Sequence, residues 1–303
     1  APFLTITVEL DARGRDEIHL HAGGQGVWVA RMVARLDAPV ALCAPLGGES
    51  GRVLRALIEA EGIELRAVAC DRASGAYVHD RRGGTRRAIA QTDSPELSRH
   101  EADELYGVAL TAGIEAGAAV LTGSAHPSGE PAAVLPHDAY RRLAGDLRRA
   151  GVTVVADLSG PQLAAALAGG VDLLKLSHRE LLEAGYAEGD SPAQLAAGVR
   201  RLREAGGRTV LLSRAAEPAL ALIGHRLVEV VPPAFEPAES RGAGDSMTAG
   251  AAAGLARGLG LEDVVRLAAA AGALNVTRRG LGTGRRTEVE RLLPHVELRD
   301  WAP

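Results

Sequence analysis

The sequence predicts an α/β fold, a mostly parallel β-sheet covered by helices on both faces, from three observations. Short β-branched or apolar runs alternate along the chain with longer segments whose apolar residues recur three and four apart. The chain has 303 residues, 47% of them apolar, enough for one large core. Two stretches break the rhythm and alternate residue by residue around glycine-containing turns, as antiparallel hairpins do.

In chain order, the first hairpin is predicted over residues 5–10 and 17–21, around Asp11-Ala12-Arg13-Gly14. A helix follows the glycines of Ala22-Gly23-Gly24-Gln25-Gly26 over 27–36, and 40–46 reads as a strand ending in Leu46-Gly47-Gly48. The second hairpin is predicted over 76–80 and 86–90, flanking Gly83-Gly84; the two hairpins together suggest a small sheet beside the main one. Strands are predicted over 118–122, 152–157, 171–175 and 209–213, and helices over 138–150 and 193–205. Residues 219–223 and 226–231 form a third hairpin, placed at the edge of the main sheet and ended by Pro232-Pro233. The last clear helix, 247–259, carries Ala249, Gly250, Ala253 and Gly254, small residues that permit close packing.

Composition excludes several classes. The 34 basic residues are interspersed with 38 acidic ones at a net charge of −4, so there is no basic stripe for nucleic acid. No run approaches the roughly 18 apolar residues of a membrane span. Cys43 and Cys70 form no CxxC pair and read as small hydrophobes of a reducing, cytoplasmic setting. The background is rich in Ala, Arg and Gly, and the chain keeps one lysine, Lys175, and one asparagine, Asn275.

Two glycine-rich turns carry chemistry. Arg241-Gly242-Ala243-Gly244-Asp245-Ser246 stands before a helix, where backbone N–H groups converge on an anion and the helix end adds partial positive charge. The Asp245 carboxylate then lies where an incoming hydroxyl would need a proton acceptor, as phosphoryl transfer requires. Read alone, the same residues also suit a helix N-cap. The glycines at 23, 24 and 26 would let backbone approach a ligand closely. No Walker pattern is present.

Six segments, in order, resemble the ribokinase-like (phosphofructokinase-B) carbohydrate kinases, most closely the 1-phosphofructokinase and tagatose-6-phosphate kinase branch. They are Gly23-Gly24-Gln25-Gly26-Val27-Trp28-Val29-Ala30-Arg31, Leu121-Thr122-Gly123-Ser124, Asp157-Leu158-Ser159-Gly160, Leu174-Lys175-Leu176-Ser177-His178-Arg179-Glu180, Gly242-Ala243-Gly244-Asp245-Ser246 and Gly280-Leu281-Gly282-Thr283-Gly284. The resemblance implies a kinase core over residues 22–73 and 92–303, and a β-sheet lid over the substrate site from 1–21 and 74–91. It implies Asp245 as catalytic base and Gly242, Ala243 and Gly244 as anion hole. Lys175, Glu180, Ser213 and Asn275 would serve ATP, with Glu180 acting on Mg²⁺ indirectly. The sugar side would draw on Thr5, Gly23, Gly24, Gln25, Gly26 and Arg31, and relatives suggest a homodimer through the lid.

Departures gather on the substrate side. Gln25 stands where sugar-phosphate kinases carry a lysine, and Thr5 where they carry an aspartate; a second register puts Asp11 there instead. Ser177 and Leu176 replace the motif's Asn and Pro, and residues 213–218 replace a Ser-x-Gly-x-x-Gly loop. His126 lies in the place of a Pro-Pro-Gly turn. The arginines at 81, 82, 86 and 87 form either a substitute phosphate clamp or a solvated hairpin. The expected activity is an ATP- and Mg²⁺-dependent hexose phosphate kinase. The alternatives are a kinase of an unphosphorylated sugar or nucleoside, and a binding protein with little catalysis.

Overall fold

The computed structural model describes residues 1–94, 96–123, 135–238 and 240–302, and His126 lies outside them. The chain forms two compact units. One has Ala1–Val27 and Ala41–Ala109 among its segments; the other comprises Trp28–Val40, Leu110–Gly123 and His137–Pro303.

In the first unit, β1 (Phe3–Leu10) and β2 (Asp16–Gly23) pair antiparallel. Asp11 shapes their turn, its carboxylate accepting from the amides of Arg13 at 2.8 Å and Arg15 at 3.0 Å. Helix α1 (Gln25–Arg35) follows, its residues from Trp28 on belonging to the second unit, then β3 (Ala41–Gly47), α2 (Gly48–Ala60) and β4 (Glu64–Cys70). The strand expected over 40–46 does form, but it pairs only with β4, in a two-stranded parallel sheet. Glu64 and Arg66 interrupt the apolar pattern of β4, which hid it in the sequence. Strands β5 (Ala76–Asp80) and β6 (Arg87–Thr92) make the second hairpin, and α3 (Arg99–Ala116) ends this stretch, its residues from Leu110 on belonging to the second unit. The parallel pairing of β1 with β5 joins both hairpins into one sheet of order β2-β1-β5-β6.

The register sorts this sheet into two faces, because residues directly opposite share a face. Ile6 with Leu20 and Val8 with Ile18 lie on the apolar face. Thr7 with His19, Glu9 with Glu17, and Thr7 with His79 lie on the polar one.

In the second unit, β7 (Ala118–Thr122), α4 (His137–Arg149), β8 (Thr153–Asp157), α5 (Gly160–Gly169), β9 (Val171–Ser177), α6 (His178–Glu183), α7 (Pro192–Glu204) and β10 (Gly207–Arg214) form the crossover half. Ser191 and Pro192 start α7 as an N-cap and first-turn proline, the Ser191 hydroxyl accepting from the Gln194 amide at 3.4 Å. Strands β11 (Glu217–Ile223) and β12 (Arg226–Val231), helices α8 (Ala243–Ala256), α9 (Leu261–Val276) and α10 (Arg286–Leu292), and β13 (Glu297–Asp300) complete the unit.

The sheet order is β13-β12-β11-β10-β9-β8-β7; β7 to β10 run parallel and β10 to β13 antiparallel, so the sheet is mixed. Only Ala215 and Ala216 join β10 to β11, too few residues for a crossover, so the strand must return antiparallel. Ala215 makes the turn in a left-handed conformation, φ 55°. The hairpin is not the edge, since β13 pairs with β12.

Val155, Leu173 and Leu211, one from each of three parallel strands, are fully buried with residues of α8 and α9; burying a side chain of this kind contributes about 1.5–3 kcal/mol. The small residues of α8 serve the close packing expected of them: a Cβ on Gly250 would meet the Leu267 carbonyl oxygen at 2.8 Å. No described helix is long and apolar enough to cross a membrane.

Candidate active site

Ligands bind open α/β sheets beyond the carboxyl ends of the strands. There β8 ends on Asp157, β9 carries Lys175 through Ser177, and β10 carries Ser213. Asp157 pairs in register with Lys175, and Ser177 with Ser213, so one sheet edge holds all four.

Helix α8 begins earlier than its apolar pattern suggested, at Ala243. Its N-cap, Gly242, is left-handed at φ 75°, and an added Cβ would lie 3.0 Å from Leu281 Cδ2. The Ser246 amide already donates to the Gly242 carbonyl at 2.9 Å. A helix leaves its first-turn amides without acceptors of its own, and those at Gly242-Ala243-Gly244 stand at this helix start with Asp245 in the same turn.

Lys175 approaches this turn from the sheet. Its side chain is 7% exposed, and its Nζ donates to Asp157 Oδ2 at 3.1 Å. A Cβ on Gly244 would sit 2.5 Å from Nζ, so glycine there admits the ammonium against the backbone. Burial pulls the Lys175 pKa down. The carboxylates of Asp157, Glu180 and Asp245 outweigh it, so the net shift is upward and the ammonium stays charged.

Ser177, in the place of the family's asparagine, caps α6 with Glu180. Its amide and hydroxyl donate to Glu180 Oε2 at 2.7 and 2.8 Å, and its hydroxyl accepts from the Glu180 amide at 3.3 Å. That commits Glu180 Oε2 to the cap. Ser213 Oγ donates to the Leu176 carbonyl at 3.4 Å, and Arg214 folds back to donate to the Pro218 carbonyl at 3.1 Å. Asn275 is 1% exposed and joins three segments. Its Nδ2 donates to the Arg241 carbonyl at 2.9 Å, and its Oδ1 accepts from Ser246 Oγ at 3.1 Å and the Gly282 amide at 3.0 Å. Arg31 donates to the Leu281 carbonyl at 3.0 Å.

The other sequence-predicted residues fall in the first unit. Thr5 Oγ1 lies where a Cβ on Gly23 would be, at 2.9 Å, and Gly24 is left-handed at φ 113° beside the Ala1 carbonyl. Gln25 and Gly26 open α1. On the polar sheet face, His79 Nε2 is 3.1 Å from Thr7 Oγ1, and Tyr77 carries Arg86 over its ring at 4.7 Å. Burial, with help from Arg86, Arg81 and His21, lowers the His79 pKa to about 4, which leaves the imidazole neutral. Of the four arginines read as a possible clamp, Arg82 and Arg87 pair with Asp80 at 3.0 and 3.3 Å, as a solvated hairpin would arrange them.

Sequence reasoning assigned no role to Asp157 and Thr248, which build the site from below: Thr248 Oγ1 donates to Asp157 Oδ2 at 2.6 Å. The signal for Asp157 was a carboxylate closing an apolar run; for Thr248, between Met247 and Ala249, there was none. A pocket of about 850 Å³ opens at the opposite, amino ends of β8 to β10. There Asp172 holds Arg148 at 3.6 Å and Arg208 at 3.4 Å.

The pfkB family carbohydrate kinase model matches residues 8–288. An ATP-dependent 6-phosphofructokinase isozyme 2 of Mycobacterium tuberculosis is 32% identical over 302 residues, spanning 96% of this chain and 86% of that protein. A 1-phosphofructokinase of Bacillus subtilis is 27% identical over 280 residues, spanning 92% and 88%. In fold, the chain is similar to phosphofructokinase-2 from Escherichia coli in complex with potassium, at a TM-score of 0.84 and 23% identity over 97% of this chain and 96% of that one. Arabidopsis thaliana ribokinase complexed with ribose and ATP superposes at 0.74 and 22% identity, with 97% and 96% covered. The ribokinase-like fold, the glycine turn before α8 and the family match over nearly the whole chain lead to one assignment: the chain belongs to the pfkB family of carbohydrate kinases, which transfer a phosphoryl group to a sugar hydroxyl.

Proposed function

We propose that the chain is an ATP-dependent kinase of a hexose phosphate, with Asp245 as general base. The observation that carries this reading is the start of α8: a left-handed glycine, first-turn amides, a carboxylate in that turn, and a buried ammonium packed on Gly244. Asp245 takes the proton of the acceptor hydroxyl. Its oxygen attacks the γ-phosphorus, the bond to the β–γ bridging oxygen breaks, and ADP leaves with that electron pair. The amides at Gly242-Ala243-Gly244 and the Lys175 ammonium stabilise charge on the transferred group.

Lys175, Ser213 and Asn275 are assigned to the nucleotide side, Asn275 by fixing the glycine turns around it. Glu180 is assigned to the Mg²⁺ shell through water, with Ser177 holding its Oε2. When bound, Mg²⁺ neutralises phosphate charge. Thr5, Gly23, Gly24, Gln25, Gly26 and Arg31 are assigned to the sugar. The apolar face of the four-stranded sheet, with Ile18 63% and Leu20 44% exposed, supports a homodimer through that sheet. A cytoplasmic setting completes the proposal, supported by the ATP-dependent chemistry.

A second reading, a kinase of an unphosphorylated acceptor, is favoured by Gln25, which lacks the charge of the lysine it replaces, and by Thr5, which changes the group assigned to the sugar hydroxyls. One experiment separates the two. ADP release with Mg²⁺-ATP is followed across fructose 1-phosphate, fructose 6-phosphate, tagatose 6-phosphate, free hexoses, ribose and adenosine. Turnover on a sugar phosphate is expected, and Asp245→Ala should lower it by about 10²–10⁴-fold while the Mg²⁺-ATP thermal shift persists. Near-normal turnover in Asp245→Ala sinks the assignment, and turnover on neutral acceptors alone selects the second reading.

A further inference from the structure

We propose that Asp157 and Thr248 are positioning residues whose shared hydrogen bonds hold the Lys175 ammonium against the Gly244 backbone, in register for phosphoryl transfer. The inference rests on the reading of Lys175 and the α8 turn given above. Three elements meet at one carboxylate oxygen. Lys175 Nζ reaches Asp157 Oδ2 from β9 at 3.1 Å, and Thr248 Oγ1 reaches the same atom from α8 at 2.6 Å. Asp157 is 1%, Lys175 5% and Thr248 0% exposed, so solvent does not screen the arrangement.

The geometry couples the sheet to the helix start. Asp157 and Lys175 are register partners on adjacent parallel strands, so backbone pairing alone sets them side by side. It leaves the lysine's long side chain with rotatable bonds to fix. Thr248 lies one turn after Gly244, and its hydroxyl is also 3.1 Å from the Gly244 carbonyl oxygen. With a single proton it donates along the shorter contact, to Asp157, and so ties the carboxylate to the helix that carries the anion hole. The upward shift of the lysine pKa despite burial agrees with a carboxylate held close.

Thr248 is fully buried, so removing its hydroxyl acts through the two contacts it makes, to Asp157 and to the Gly244 carbonyl, and only the first bears on Lys175. Thr248→Val keeps the shape and removes the donor; Thr248→Ser keeps the donor. Because Lys175 is the only lysine of the chain, lysine labelled with ¹³C at Cε gives one side-chain resonance, a readout that needs no turnover. In Thr248→Val that resonance is expected to move, and kcat on the accepted sugar to fall about tenfold at little-changed KM for ATP. Thr248→Ser should restore both. In Asp157→Asn the resonance should titrate about 1–3 pH units lower than in the parent chain.

An unmoved resonance in Thr248→Val overturns the proposal whether or not the chain turns over any sugar. A moved resonance with unchanged kcat overturns the claim that this position serves transfer. Failure of the kinase reading itself shows separately, as normal turnover in Asp245→Ala.

Discussion

Each unit holds an aspartate paired with a cation at nearly the same distance, and the two pairs do different work. Asp80 meets Arg82 at 3.0 Å and Arg87 at 3.3 Å; its own side chain is 10% exposed, but the guanidiniums are 41% and 75% exposed and reach water. Asp157 meets Lys175 at 3.1 Å, with side chains 1% and 7% exposed. Water and salt screen the first pair, which ties a hairpin together and contributes little beyond that. The second has lost its water, so each partner depends on the other and on Thr248. Contact distance does not decide what an ion pair does; what surrounds it does.

The largest contrast comes from removing each cation. Lys175→Met leaves Asp157 buried without its counter-charge and is expected to cost about 3–5 kcal/mol in urea unfolding. Arg82→Met should leave the unfolding midpoint within experimental scatter. Equal effects would break the comparison.

A smaller effect sharpens it through pH. The folded pKa of His79, about 4, lies below its ordinary 6.5, so as pH falls the unfolded chain binds the proton first. The stability this neutral imidazole contributes is whole above pH 6.5 and is lost as pH falls toward 4. The Tm of the parent chain should therefore fall further than that of His79→Gln over this window. Parallel Tm curves would show that His79 is solvated like the arginines beside it. The smallest effect concerns the β10–β11 turn: Ala215→Gly should relieve the left-handed strain at φ 55° and gain less than about 1 kcal/mol in chemical unfolding.

The sequence made the crossover half of the main sheet legible because strands covered on both faces are apolar runs, and residues 152–157 and 171–175 could hardly be read otherwise. The same criterion put residues 40–46 among the main strands, since an apolar run carries no mark of its partner. The Glu297–Asp300 strand was invisible: four residues, three of them charged, have no strand pattern until a neighbour supplies hydrogen bonds. In the site, glycines and Asp245 were legible because backbone approach to an anion demands particular residues in a particular order. The burial of Lys175 and its link through Asp157 to Thr248 were not, because they arise from contact between strands and a helix distant in sequence.

That short C-terminal strand has a consequence for the behaviour of the molecule in a crowd. A sheet that turns antiparallel at β10 would otherwise finish on β12, whose Leu227, Val228 and Val230 are buried and whose open backbone would invite another chain to dock. β13 takes that row of hydrogen bonds and presents Glu297, Arg299 and Asp300 in its place, all exposed. Growth of the sheet by strand addition is discouraged on this side by the last few residues that join it.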